Sequence, residues 1–378
     1  MKHLEFFTLA VLLSSTALRS QTDSTKDAVS IYKERAFQFT FVSPIGTNGL
    51  ECYKVTNKVS LNLLAGVSGG VNGFEAGTIA NVVLKDVKGV QFAGFANVVL
   101  GDVHGAQFSS YFNYTGKNLS GASLAGLGNV NMGELHGTQI AYFFNFNRKG
   151  GSGLQLAGHS NMTLGNFKGA QIATAANIAI GNVEGAQISV GVNIAKKVKG
   201  IQLGLINIAD TVDGASIGFI NVIRKGKHQL EFSGDELFYT NVSYRMGTSS
   251  FYNVFSTGYQ PGSKNNLWHF GYGAGTSFKI KNKLSGDASA TAHHVSANGF
   301  TFETSELLRF YIGVEYKIAK KISVAAGPTY NFYFSDALLS KFNSNQGDIT
   351  PYHNFNSTTS NDFNVKGWIG GRIAIRFL

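Results

Sequence analysis

Cysteine is almost absent: Cys52 is the only one among 378 residues, so no internal disulfide framework holds this chain. Its simplest reading is a small buried hydrophobe. Proline is scarce too, with 4 residues, which separates the chain from disordered Pro/Gly tracts despite its 46 glycines. Charged residues make up only 14%. Carboxylates are sparse: Asp86, Asp102, Glu134 and Glu184 are expected at turns, and the regular aspartate of a calcium-binding nonapeptide repeat is missing. No cluster of acids suits glycan hydrolysis, so an exported solenoid enzyme is unsupported and no cofactor is expected. Long apolar runs are missing as well. Phe6 to Leu18 is too short to span a bilayer; with Lys2 before it and Ser20 before Gln21, residues 1–20 read as a cleaved export signal.

What is present is a beat. Glycine recurs every sixteen residues at Gly73, Gly89, Gly105, Gly121, Gly137, Gly153, Gly169 and Gly185, then at Gly200 and Gly214 in shortened copies. Each copy carries an asparagine at a fixed offset: Asn81, Asn97, Asn113, Asn129, Asn145, Asn161, Asn177, Asn193, Asn207 and Asn221. Most carry a glutamine two residues after the glycine: Gln91, Gln107, Gln139, Gln155, Gln171, Gln187 and Gln202. A fixed period of this length means one small unit is stacked on itself. Within Gly89 to His104, Val90, Phe92, Val98 and Leu100 share one parity while Gln91, Ala93 and Asn97 share the other, which is β alternation.

Two architectures fit this beat. In a β-solenoid each copy is one coil, the apolar parity fills the interior, and Asn stacks on Asn and Gln on Gln in hydrogen-bonded ladders. In a membrane barrel each copy is one strand with Gln and Asn lining the lumen. Identical residues at identical offsets favour parallel stacking. So do the last two copies, where the Gly-to-Asn spacing falls from eight residues to seven. A one-residue loss inside a continuous strand flips everything beyond it to the other face, whereas a bent unit absorbs it.

From about residue 229 the beat gives way to longer alternating segments. Leu308, Phe310, Ile312, Val314, Tyr316 and Ile318 face one way, and Arg309, Tyr311, Gly313, Glu315 and Lys317 the other. Trp268 to Ile280 behaves likewise. Strands are expected near 237–247, 251–261, 267–280, 284–296, 306–318, 322–336 and 365–378. Short links at 248–250, 281–283 and 319–321 alternate with longer ones at 262–266, 297–305 and 337–364, the outer-membrane rhythm of short periplasmic turns and long outer loops. Trp268, Tyr316, Tyr330, Tyr333 and Trp368 are candidates for interfacial girdles. The chain ends GWIGGRIAIRFL, with Ile369, Ile373, Ile375 and Phe377 on one face.

The recurring G-x-Q-x-A-x-x-x-N unit, ending in GIQLGLINIAD and followed by LFYTNVSYRMG and YKIAKKISVAAGPTYNFY, resembles the glycine-rich surface-repeat proteins of Bacteroidetes and spirochaetes. The resemblance covers roughly residues 37–336. It implies an envelope location and supplies no catalytic residues.

The reading is therefore an all-β chain: a signal at 1–20, N-terminal strands or cap at 21–72, a solenoid-like repeat array at 73–226, and membrane-barrel strands at 227–378. The alternative is one continuous barrel that includes the repeats. The expected function is non-enzymatic, structural or adhesive, with the array presenting a Gln/Asn surface. An outer-membrane pore is the rival. Outer-membrane lipid is the expected partner, with a glycan or surface protein on the array. The formal charge of +10 is spread in pairs such as Lys196–Lys197, so nucleic acid is not expected. No metal is expected: His293 and His294 are adjacent and should point to opposite faces.

Overall fold

The computed structural model describes residues 33–261, 266–297, 305–336, 356–359 and 363–378. The export signal read at residues 1–20 and much of the link at 337–364 lie outside them.

The repeats form a parallel solenoid, not barrel strands. Each coil is a longer arm, a turn, and a shorter arm, as in Val87–Ala93 followed by Ala96–Val99. Every residue lies over its counterpart one coil on: Gly89 over Gly105, Gln91 over Gln107, Asn97 over Asn113. The stack begins before the first repeat glycine. The strand Lys33–Val42 pairs parallel with Val55–Ser68, which continues into the array through Thr56 and Gly70. Residues 33–72 are thus the first turns of the same stack. In the shortened copies the loss falls at the turns, and Val192–Leu203 and Ile206–Ile217 each run through from one arm to the next.

The glycine column is the point where backbones nearly touch. Gly105 has φ +139°, and a Cβ there would lie 2.0 Å from the Gly89 carbonyl oxygen. No L side chain fits this conformation and this approach together.

Inside and outside are the reverse of the expectation. Gln91, Ala93 and Asn97 point inward, together with Val87 and Val99, whose stacked counterparts Val103, Leu119 and Leu135 make the apolar half of the interior. The opposite parity faces out, with Phe92 and Leu100 close to half exposed. The array therefore does not present a Gln/Asn surface. The physical reason is cohesion: a narrow coil packs repeated carboxamides that bond to their own copies, and uniform size matters more there than hydrophobicity.

Residues 227–378 close into an eight-stranded antiparallel barrel. Its strands are Lys227–Asp235, Thr240–Gly247, Tyr252–Gln260, Leu267–Lys281, Leu284–Ala297, Ser305–Ala319, Ile322–Asp336 and Phe363–Phe377. The first pairs with the last through Phe232 and Ile375, which removes both edges. Sequence reading missed the first strand and identified the other seven. A short strand, Asn356–Thr359, adds to the last one.

Candidate functional site

Two polar interiors carry the chemistry of this molecule. In the solenoid, each asparagine of the repeat column uses its carboxamide on both sides. Asn97 Nδ2 donates to Asn113 Oδ1 at 3.0 Å and to the Phe108 carbonyl at 2.8 Å, while its Oδ1 accepts from Asn81 at 2.9 Å. The chain of donors runs unbroken from Asn62 through Asn81, Asn97, Asn113, Asn129, Asn145, Asn161, Asn177, Asn193 and Asn207 to Asn221. The glutamine column runs the other way. Gln107 donates back to Gln91 at 3.0 Å and Gln91 to Glu75 at 2.7 Å. Gln202, Gln187, Gln171 and Gln155 pass the bond back to Gln139. The two rows of amide dipoles therefore oppose each other.

The glutamine row breaks once. Ser123 stands where the column needs a glutamine, too short to accept from below, and Gln139 Nε2 is left without a partner. Glu75 ends the row. It is fully buried, and burial pushes its carboxyl above the usual carboxylate range, with hydrogen bonds from Gln91, Ser60, Asn62 and Ser68 pulling part of the way back. Each amide bond contributes about 1 kcal/mol net, and an amide buried without its partner costs roughly 1–3 kcal/mol. The ladder residues singled out from sequence are thus brought together, but as interior scaffold rather than as a binding surface.

The barrel interior is charged. Arg245 grips Asp287 with two bonds at 2.9 and 2.8 Å, and Tyr252 donates to the same carboxylate at 2.7 Å. Arg376 meets Glu231 and Glu315 at 2.6 Å each and Asp287 at 3.1 Å. Arg372 pairs with Glu231, and Arg309 with Asp235, each at 2.6 Å. Toward the long-link rim the lumen turns apolar. The turn after the first strand folds in, so that Leu237 and Phe238 pack with Val295, Leu307, Tyr333 and Trp368. Asp235 accepts from the backbone of both turn residues, at 3.0 and 2.8 Å. Eight strands leave room for side chains and little else, and these fill it.

His293 points inward to His269 at 3.0 Å, and His294 outward to Glu306 at 2.8 Å, on opposite faces as adjacency requires. Among the described residues no three His, Cys, Asp or Glu side chains group as metal ligands. Tyr333 and Trp368, read as girdle residues, face the lumen instead; Trp368 donates to Glu236 at 2.8 Å. Trp268, Tyr316 and Tyr330 do face outward.

The outward barrel wall is apolar. Phe270, Phe278, Phe310, Ile312, Ile318, Ile369, Ile373 and Ile375 are all at least two-fifths exposed. Among the described residues, the outward positions between the rims carry no Lys, Arg, Asp or Glu; the Glu306–His294 pair sits at the long-link rim.

Sequence reading missed the junction. Tyr252 and Val254 point into the barrel, so Asn253 points out, and there it extends the asparagine ladder: Asn221 Nδ2 donates to it at 2.7 Å. Asn253 in turn donates to the Gly218 carbonyl at 2.8 Å, Tyr272 donates to the Phe219 carbonyl at 3.0 Å, and the Phe219 and Tyr272 rings lie 4.4 Å apart. The last coil thus seats on the outer wall of the barrel, beside the rim of short turns. One asparagine in the beat-free region was the only trace of this in the sequence. No family model matches this chain, and no curated protein matches it.

Proposed function

We propose that this is a non-enzymatic outer-membrane protein in which a plugged eight-stranded barrel anchors a structural solenoid. One observation carries the reading: between its rims the barrel is apolar and uncharged outside, and it holds paired charges inside. A soluble barrel exposes its charges to water, whereas a membrane barrel faces lipid with an apolar band. The filled lumen speaks against the pore reading, since an aqueous channel needs many more strands.

Short turns face the periplasm in this class and long loops the exterior. The solenoid joins at the short-turn rim, which supports a periplasmic location and a structural task rather than adhesion at the cell surface. A signal at residues 1–20 agrees with export. The test is extraction and gel mobility. The full-length chain should require detergent to leave membranes and should migrate faster unheated than boiled. A chain that is soluble without detergent would overturn the reading. Cleavage of the repeats by protease added to intact cells would overturn the periplasmic side.

A further inference from the structure

The solenoid exterior has an unusual division of charge. Between residues 76 and 226, every Lys, Arg, Asp and Glu lies in the link between the end of one asparagine arm and the glycine of the next coil. That edge holds eleven Lys or Arg against six Asp or Glu. The other outward columns carry none. They are filled by residues such as Phe92, Phe143, Leu156, Val190 and Leu205, each more than a third exposed. A continuous apolar face running from coil to coil marks a surface that something other than water covers.

Two further observations say what covers it. The last coil sits on the same outward wall of the barrel that carries the apolar band, so the two apolar surfaces are continuous through Phe219 and Tyr272. The basic edge complements anionic headgroups. We propose that the solenoid lies within the periplasmic leaflet, its apolar columns among the acyl chains of the bilayer and its basic edge at the lipid phosphates. The dimensions agree. From Val90 to Phe95 the uncharged arm extends roughly 16 Å at about 3.3 Å per residue. Half of a hydrocarbon core is about 15 Å. Inside the stack the backbone need for partners is met, since each inner coil bonds to the coils on both sides, and Asn221 of the last coil bonds to Asn253 on the barrel.

This inference rests on the membrane reading of the barrel, and the test separates the two. Nitroxide labels are placed at Leu156→Cys on an apolar column, at Lys168→Cys on the basic edge and at Ile312→Cys on the barrel wall, each in full-length Cys52→Ser protein. The proteins are reconstituted in vesicles of zwitterionic and anionic phospholipid. Collision with oxygen is compared with collision with a water-soluble nickel chelate. Labels at 156 and 312 should favour oxygen several-fold over the chelate, and the label at 168 should favour the chelate. Water-like values at 156 with lipid-like values at 312 would overturn this inference and leave the barrel reading standing. Water-like values at both would overturn the barrel reading itself. Protection of 156 from both reagents would mean that protein, such as a second copy, covers the face, which also overturns the proposal.

Discussion

Solenoid and barrel both turn their polar groups inward, yet they neutralise them by opposite means. The solenoid stacks neutral carboxamides, each bonded to copies of itself one coil away, and its partners are supplied by translation. The barrel gathers unlike charges from strands far apart in sequence, as when Arg376 reaches Glu231 and Asp287. A neutral ladder extends coil by coil because each new copy needs only a neighbour. A buried charge cluster needs the whole closed wall before any member is compensated. The damage from single substitutions should therefore follow different rules in the two halves.

The largest effect should come from the glycine column. At Gly121 a Cβ would lie 2.0 Å from the Gly105 carbonyl oxygen, whereas at Gly371 on the barrel wall nothing lies within 4 Å. Gly121→Val should cost more than about 4 kcal/mol and unstack the solenoid, while Gly371→Val should stay within about 0.5 kcal/mol. Limited proteolysis of the two variants reads this directly. A protease-resistant repeat region in Gly121→Val would break the account of the column.

Next comes the barrel network. Arg376→Met leaves Glu231, Asp287 and Glu315 without their shared cation, a loss of roughly 3–5 kcal/mol. Urea unfolding in lipid vesicles should show the barrel transition moving to lower denaturant, with the repeat region less affected. If the midpoint of the barrel transition stays where it was, the charges are not what holds the lumen.

A ladder break should be milder and local. Asn145→Leu strands the donor of Asn129 and the acceptors of Asn161 and Leu156, roughly 2–3 kcal/mol together. Gln139→Leu should cost about half as much, because the Gln139 amide nitrogen already lacks a partner. Thermal unfolding followed by far-ultraviolet circular dichroism would rank them; equal losses would contradict the idea that satisfied amides carry the stack.

Much of this architecture was legible, because periodicity is a property of sequence. Identical offsets foretold parallel stacking, and the shortened copies at Gly200 and Gly214 foretold a bend. The alternation of Leu308 to Ile318 gave the barrel faces. What misled was the choice of inner face. The usual rule sends Phe92 and Leu100 inward, yet an apolar exterior inverts it, and alternation alone says which residues share a face without saying which face is dry. A clue existed: Val87 and Val99 share the parity of Gln91 and Asn97, and the asparagine column keeps one residue while the outer column drifts among Phe, Leu and Ile. The first barrel strand was missed because its inward Gln229, Glu231 and Asp235 look like loop chemistry. The seating of Asn221 on Asn253 spans 32 residues, and local pattern has no access to it.

The smallest expected effect sharpens the comparison most, because Glu75 is a barrel-style charge placed in a ladder-style interior. It occupies the glutamine column over Gln91 but has no buried cation beside it, only hydrogen-bond donors. Burial raises its folded pKa above the reference value of 4.5. A raised carboxyl binds its proton more tightly in the folded state than in the unfolded one. Its favourable contribution is then present below about pH 4.5 and is lost as pH rises through the folded value. Glu75→Gln keeps an acceptor for Gln91 and removes the charge. The variant should match the parent near pH 4 and gain on it toward pH 8 by about one hydrogen bond, of the order of 1 kcal/mol. Melting both proteins at the two pH values isolates this group, since every other titrating residue is common to them. A parent that gains on the variant as pH rises would mean the four donors outweigh burial, and that this solenoid tolerates a bare carboxylate as readily as an amide.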